Sequence, residues 1–237
     1  MNVMGIVNVT PDSFSDGGKF FTPEEAVRRA RNVIAEGATY VDLGGESTRP
    51  GATPLVWADE WTRLEPVLDL LGTPAGAALS VDTYHPETAA RALAAGVRVI
   101  NCVYPEPVPA MLKLLESHPA AELVLPAKAV GCVPAALLPR VWLDPMIGFG
   151  TTREEDLALL RGLRDLAARG RVLVGASRKR IVKRLTGEKV AGKDLAGNLT
   201  LAVWAALAGA DVVRVHDVRE TVQALRVLDA LRGEAEA

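Results

Sequence analysis

Cysteine is nearly absent: Cys102 and Cys132 are the two in a chain of 237 residues. Two thiols make neither a disulfide framework nor a thiolate zinc site. A long apolar run is missing too. The nearest, Leu199 to Ala210, falls short of the roughly 20 residues a membrane span needs. Met1 to Thr10 is apolar but has no basic flank and runs into polar Asp12 and Ser13, so it reads as a first strand and not as a secretion signal. Neither sign of charge is in excess. A net charge of −2 and a pI near 6.0 argue against a general nucleic-acid or membrane-surface binder. Any anion site must come from local clustering of cations. The expectation is a cytoplasmic protein.

What is present is apolar material for a sizeable core, 49% hydrophobic residues against 24% charged, in a length that suits one α/β barrel. Short β-rich runs alternate with longer helical patterns, the signature of βα units on a parallel sheet. Strands are expected at Val3–Asn8, Tyr40–Leu43, Leu79–Asp82, Val99–Asn101, Leu123–Leu125, Val141–Asp144, Val172–Gly175 and Val212–His216. Eight strands favour a closed (β/α)8 TIM barrel, taken as one domain over residues 1–237. Thr22-Pro23-Glu24-Glu25 has capping-box spacing with proline at the first helical position, opening a helix that stops near Gly37. Thr151 to Glu154 repeats that spacing before a helix expected to run to about Arg169. Asp194–Ala208 and Glu220–Leu231 supply the last two helices. One stretch does not fit. Pro126 to Pro139 carries three prolines and a glycine and no convincing helix, so the fifth βα unit is either shortened or missing residues.

Polar residues follow the apolar β runs: Asn8, Asp42, Asp82, Asn101, Asp144, Ser177 and His216. Taken singly, each could simply begin a loop. In a barrel, however, the strand C-termini open on one face, and the set together points to a shared site. In Val213-Arg214-Val215-His216 the side chains alternate, so Arg214 and His216 share a face. An arginine inside a barrel strand must be paired or exposed at the mouth. A salt bridge to Asp42 or Asp82 is the structural alternative; we rank binding of one anion by Arg214 and His216 above it. Ser177-Arg178-Lys179-Arg180 places cations at a helix start, against the dipole, which a bound anion would resolve. Arg180 suits a solvated surface better than Arg178 or Lys179 does. Gly44-Gly45-Glu46-Ser47-Thr48-Arg49-Pro50-Gly51 is a glycine-rich loop without Walker spacing. The polar loop Thr10 to Gly18 fits a lid. The residues alone reach an anion-handling site with carboxylates nearby, and leave its ligand open.

Met4 to Gly18, and Asp42 to Gly51, resemble the two long signatures of the dihydropteroate synthases. Ser80-Val81-Asp82-Thr83, Asp144-Pro145, Ser177-Arg178-Lys179 and Arg214-Val215-His216-Asp217 follow in the family's order. The resemblance implies a TIM barrel, usually dimeric, that uses Mg2+. It implies a transferase that condenses p-aminobenzoate with 6-hydroxymethyl-7,8-dihydropterin pyrophosphate, giving 7,8-dihydropteroate and pyrophosphate in folate synthesis. By the same resemblance Asn8 holds the metal, and Arg49, Arg214 and His216 clamp the leaving group, with Thr48 close by. Asp82 and Asp144 face the pterin, Lys179 contacts it, and Ser177 with Pro50 lies beside p-aminobenzoate. Asp12, Ser13 and Asn101 complete the substrate-binding set. Arg49, Lys179, Arg214 and His216 are the expected catalytic residues.

Three departures fall on the pterin side: Cys102 where the family has aspartate, Leu125-Pro126 in place of a Met-His pair, and Met146 to Thr151 in place of a segment with glycine, phenylalanine and a closing lysine. A non-catalytic or altered-substrate paralogue binding a pterin-like or phosphorylated ligand is therefore the second reading. A corrinoid-linked methyltransferase domain and a purely structural barrel are weaker ones. The apolar helix Leu199–Leu207 suggests a homodimer. No nucleic-acid or membrane partner is expected.

Overall fold

Eight parallel strands close on themselves in sequence order, each hydrogen-bonded to the next and the last to the first. They are β1 (Asn2–Asn8), β2 (Tyr40–Gly44), β3 (Ala78–Asp82), β4 (Val99–Asn101), β5 (Glu122–Pro126), β6 (Val141–Asp144), β7 (Arg171–Val174) and β8 (Val212–Val215). The computed structural model describes residues 1–10, 22–47, 53–190 and 192–233. All eight expected strands are present, shifted by at most a residue at either end.

The strand alternation has two products. Outward side chains join the helices in one large core, while Met4, Val99, Val124, Trp142, Leu173 and Val212 form a separate apolar plug inside the ring, with Tyr40 packed against it. The register sets the next tier. Ile6 pairs with Asp42 and Asp42 with Ser80, while Asn8 pairs with Gly44, Gly44 with Asp82 and Asp82 with Asn101. Met4 is level with Arg214, and Pro126 with Asp144. Above the apolar plug the interior therefore turns polar, toward the strand C-termini where barrel enzymes carry their sites.

Outside the ring lie α1 (Pro23–Ala35), α2 (Trp57–Leu71), α3 (Pro86–Ala94), α4 (Val108–Ser117), α5 (Arg153–Arg161), α6 (Leu163–Ala167), α7 (Arg180–Thr186), α8 (Leu195–Leu207) and α9 (Val218–Leu231). The Thr22 capping box does not form: its side chain makes no cap bond. Its carbonyl takes the Glu25 N–H at 3.0 Å instead, and Pro23 has no N–H to satisfy. The second box is real but one residue later, between Thr152 and Glu155. Thr151 is drawn away because its hydroxyl donates to Asp156 Oδ1 at 2.6 Å. The expected helix to Arg169 is broken at Gly162 into α5 and α6.

The fifth unit has no α-helix. Two 3-10 turns, Ala127–Cys132 and Leu138–Arg140, fill the link from β5 to β6. Ala129, Val133 and Leu137 are buried in the outer core, so a strap of three apolar side chains covers the wall where a helix would sit. Strand pairing from Leu123 with Val141 to Pro126 with Asp144 continues beneath it. A shortened unit is compatible with a closed ring.

Candidate active site

Three carboxylates, an amide and two cations converge at the polar tier. Asp42, on β2, is fully buried. It accepts from Ser80 Oγ at 2.5 Å, from Asn101 Nδ2 at 3.1 Å and from Arg214 Nε at 2.6 Å. Arg214 reaches Asp82 Oδ2 with Nη2 at 2.7 Å. The salt bridge ranked second from sequence is thus present, and it is double. It forms because inward-facing Arg214 shares the ring's interior with both aspartates. Two of its five N–H groups are used in these pairs.

The charges are mutually adjusted. Burial raises Asp82 to about 7, with Arg214 pulling down and Asp42 pushing up. Burial also raises Asp144, against the pull of Lys179 and of the Met146 N–H, which donates to Asp144 Oδ1 at 2.6 Å. For Arg214, burial alone would lower the guanidinium, but Asp42 and Asp82 together hold it above its ordinary value. Lys179 is lowered to about 8 by burial, with Asp144 opposing. Its Nζ donates to the Ile147 carbonyl at 2.6 Å and lies 4.3 Å from the Phe149 ring centroid. A cation held by neutral groups keeps its charge available to a ligand.

At the exits of β7 and β8, Ser177 Oγ is 3.1 Å from His216 Nδ1, and the His216 N–H donates back to Ser177 Oγ at 3.3 Å. Arg178 is committed elsewhere, to Asp217 at 2.5 Å, and Arg180 is exposed with a bond to the Thr151 carbonyl at 3.3 Å. Of this basic run, the side chain that faces the polar tier is that of Lys179, beside Asp144 and Asp82. The fold brings together Asp82, Asn101, Asp144, Lys179 and Arg214, with Ser177 and His216 side by side. Asn8 ends β1 in register with Gly44. Asp12, Ser13, Thr48, Arg49 and Pro50 lie outside the described residues.

Sequence reading missed three contributors. Glu46 accepts from Tyr84 Oη at 2.6 Å, from Leu55 N–H at 3.1 Å and contacts His85 Nε2 at 3.2 Å, bracing the exit of β2 against that of β3. Asp156, buried on α5, accepts from Gly148 N–H at 2.7 Å and shapes the turn below Lys179. Asn198 is buried on apolar α8 and accepts from Arg178 N–H at 2.9 Å. A polar residue within an apolar helix was the available signal for Asn198. Cys102, by contrast, packs in the outer core and donates to the Tyr104 carbonyl at 3.4 Å. Burial pushes its thiol up to about 12, so it is neutral.

A parallel barrel with cations and hydrogen-bonding carboxylates at its C-terminal mouth is the frame of an enzyme for a small anionic, N–H-rich substrate. The pterin-binding enzyme family profile matches residues 4–130 and 124–216, two segments that overlap where the fifth unit is short. The dihydropteroate synthase of Neisseria meningitidis serogroup C is 36% identical, over 97% of this chain and 92% of its own length. That of Escherichia coli K12 is 35% identical over 97% and 91%. Among solved structures, the Xanthomonas albilineans dihydropteroate synthase with 4-aminobenzoic acid superposes with a TM-score of 0.91 at 38% identity, covering 99% of this chain and 94% of that one. The chain belongs to the pterin-binding enzymes and, among them, to the dihydropteroate synthase family.

Proposed function

We propose that this chain joins p-aminobenzoate to 6-hydroxymethyl-7,8-dihydropterin pyrophosphate, releasing 7,8-dihydropteroate and pyrophosphate. The observation that carries the reading is the polar tier: Asp82, Asn101 and Asp144 face the barrel interior beside Lys179 and Arg214. Asn101 Oδ1 is buried with no partner among the described residues, an acceptor open to a ring N–H or amino group. Asp144 and Asp82 offer carboxylate oxygens for the rest of the aminopyrimidine edge. The relatives support the substrates: the Xanthomonas albilineans enzyme has been solved with 4-aminobenzoic acid and, separately, with 7,8-dihydropteroate.

The chemistry asks most of the groups that face the leaving diphosphate. As the carbon–oxygen bond at the pterin methylene lengthens, negative charge grows on the diphosphate. Lys179, His216 and the remaining N–H groups of Arg214 are pre-set to stabilise it. The aryl amine then attacks the pterin methylene cation as a neutral nucleophile and gives up its surplus proton to the released diphosphate, so His216 acts as a phosphate donor and not as a base. Ser177, bonded to His216, lies where the p-aminobenzoate must approach. By the family resemblance Thr48 and Arg49 serve the diphosphate clamp, Pro50 serves p-aminobenzoate, and Asp12 and Ser13 serve substrate binding, a task that includes keeping water from the pterin cation.

Asn8 fits Mg2+: its amide supplies a hard oxygen, and an ion shared with phosphates keeps waters and takes one or two protein ligands. Side-chain-free Gly44 lies beside that oxygen, leaving room. When bound, the ion would neutralise charge on the diphosphate. The outward packing of Cys102 weakens the case for a non-catalytic paralogue. The reading also includes a cytoplasmic homodimer, supported by Trp204 and Leu207 exposed on α8 at 45% and 43%; size-exclusion with light scattering showing a monomer at micromolar concentration would remove the dimer. No helix among the described residues is long and apolar enough to cross a membrane.

The test is turnover with both substrates, paired with calorimetric titration of pyrophosphate and Mg2+. Wild type should form dihydropteroate, and Asp144→Asn should lower kcat/KM by about a hundredfold, the scale of a lost charge-assisted hydrogen bond. Pyrophosphate binding without product would favour the paralogue.

A further inference from the structure

Arg178 stands in the left-handed region with φ of 58°, although it carries a Cβ. A residue so placed is strained and persists only if its surroundings hold it there. Two contacts do. Its guanidinium pairs with Asp217 at the exit of β8, and its N–H donates to Asn198 Oδ1 at 2.9 Å. The Asn198 amide is itself oriented, because Nδ2 donates to buried Asp194 Oδ1 at 3.3 Å.

The approach of α8 that makes this possible depends on the neighbouring glycine. A Cβ on Gly197 would lie 2.7 Å from both Thr186 Cγ2 and Val182 Cγ1 on α7. Without one, the two helices can close up and Asn198 reaches the turn between β7 and α7. Asn198 also borders the crevice lined by Ala176, Ser177, Leu201 and Arg214. The turn it holds carries Ser177 on one side of Arg178 and Lys179 on the other. The left-handed residue between them lets Ser177 face His216 at 3.1 Å while Lys179 reaches the Ile147 carbonyl at 2.6 Å.

We propose that Asn198 is a positioning residue for the transferase reaction, holding Arg178 in its left-handed conformation and thereby setting the separation of Ser177 and Lys179. This deepens the function proposed above and rests on it for its kinetic test. In Asn198→Leu, which keeps the side-chain size but has no acceptor, the turn relaxes to negative φ and Lys179 leaves Ile147. Asn198→Asp/Asp194→Asn keeps the acceptor and, with amide and carboxylate exchanged, also keeps the bond between the two side chains. Glycine at 178 adopts positive φ unaided.

The experiment measures kcat and KM for both substrates, with thermal melting, in Asn198→Leu, Asn198→Asp/Asp194→Asn and Arg178→Gly/Asn198→Leu. Asn198→Leu should lose about tenfold in kcat/KM for p-aminobenzoate, the worth of one hydrogen bond to a strained N–H. Asn198→Asp/Asp194→Asn should keep most of the wild-type value, and Arg178→Gly/Asn198→Leu should recover most of the loss. Acetylation of Lys179 by acetic anhydride, followed by mass spectrometry, reads the turn without turnover and should speed up in Asn198→Leu. If wild type makes no product, the functional reading fails while acetylation still tests the positioning. A variant with a lowered Tm but wild-type kinetics and acetylation would overturn the proposal. If Asn198→Leu does not fold, amide exchange in wild type decides: an Arg178 N–H exchanging like an open amide refutes it.

Discussion

Arg214→Met removes the guanidinium that bridges Asp42 and Asp82 at 2.6 and 2.7 Å, leaving both carboxylates inside the barrel. Breaking a buried ion pair from one side destabilises by about 3–5 kcal/mol. Asp42 retains its bonds from Ser80 and Asn101, so the lower end applies. About 3 kcal/mol in a chain of this size lowers Tm by about 6–12 °C. The loss has a pH signature. Burial already holds Asp82 near 7 with Arg214 present, and without the arginine its value rises further. A native carboxyl that binds its proton more tightly than the unfolded chain does is favoured in acid and penalised as pH rises. The deficit against wild type should therefore be largest at pH 8 and shrink toward pH 5.5, where Asp82 is neutral in the variant. Melts across that range, with Arg214→Met/Asp82→Asn as a partner variant that regains part of the stability, make the test. A Tm change below about 2 °C at pH 8, small against the shift expected, or a deficit that grows in acid, would refute the pairing argument.

Met146 has φ of 66° at a place where glycine is unstrained, so Met146→Gly should raise Tm and stabilise by about 0.5–1 kcal/mol; a fall in Tm would show that its side chain contributes more than its backbone loses. Lys179 is lowered to about 8 by burial, so its charge is lost as pH rises through that value. The kcat/KM profile should decline there, and Lys179→Arg should remove the decline while lowering the plateau. Glu60 is fully buried, with Oε2 accepting from Thr83 Oγ1 at 2.7 Å, and its acidity is weakened by burial. Glu60→Gln should gain stability over wild type as pH rises above the ordinary glutamate range, measured by urea unfolding at pH 5 and pH 8; an advantage greater at pH 5 would contradict the burial cause.

The ring was legible because its period is local. Apolar runs ending in Asn8, Asp82, Asn101 and Asp144 mark strands and their polar exits together. Alternation alone put Arg214 and His216 on one face, and register then fixed what Arg214 would meet. That meeting was harder to weigh: Asp42 and Asp82 lie far from Arg214 in sequence, and no local pattern says that all three share one tier. The capping boxes failed or shifted for similar reasons. At Thr22 a main-chain carbonyl took the donor, and at Thr151 a distant Asp156 competed for the hydroxyl. Asn198 was legible as an anomaly in an apolar helix but not as a partner of Arg178, because only the Gly197 contact brings α8 that near. The segment 126–139 was read correctly as helix-poor, yet its apolar spacing at Ala129, Val133 and Leu137 gave no sign of how it would cover the wall.

That covering strap changes what a barrel of this kind requires of its sequence. The outer layer behaves as insulation: each panel must shield its patch of strands, and the material can be replaced by something thinner. Three alkyl groups on an irregular tether suffice between β5 and β6. So thin a panel still leaves the ring closed, with β5 and β6 paired from Leu123 to Pro126.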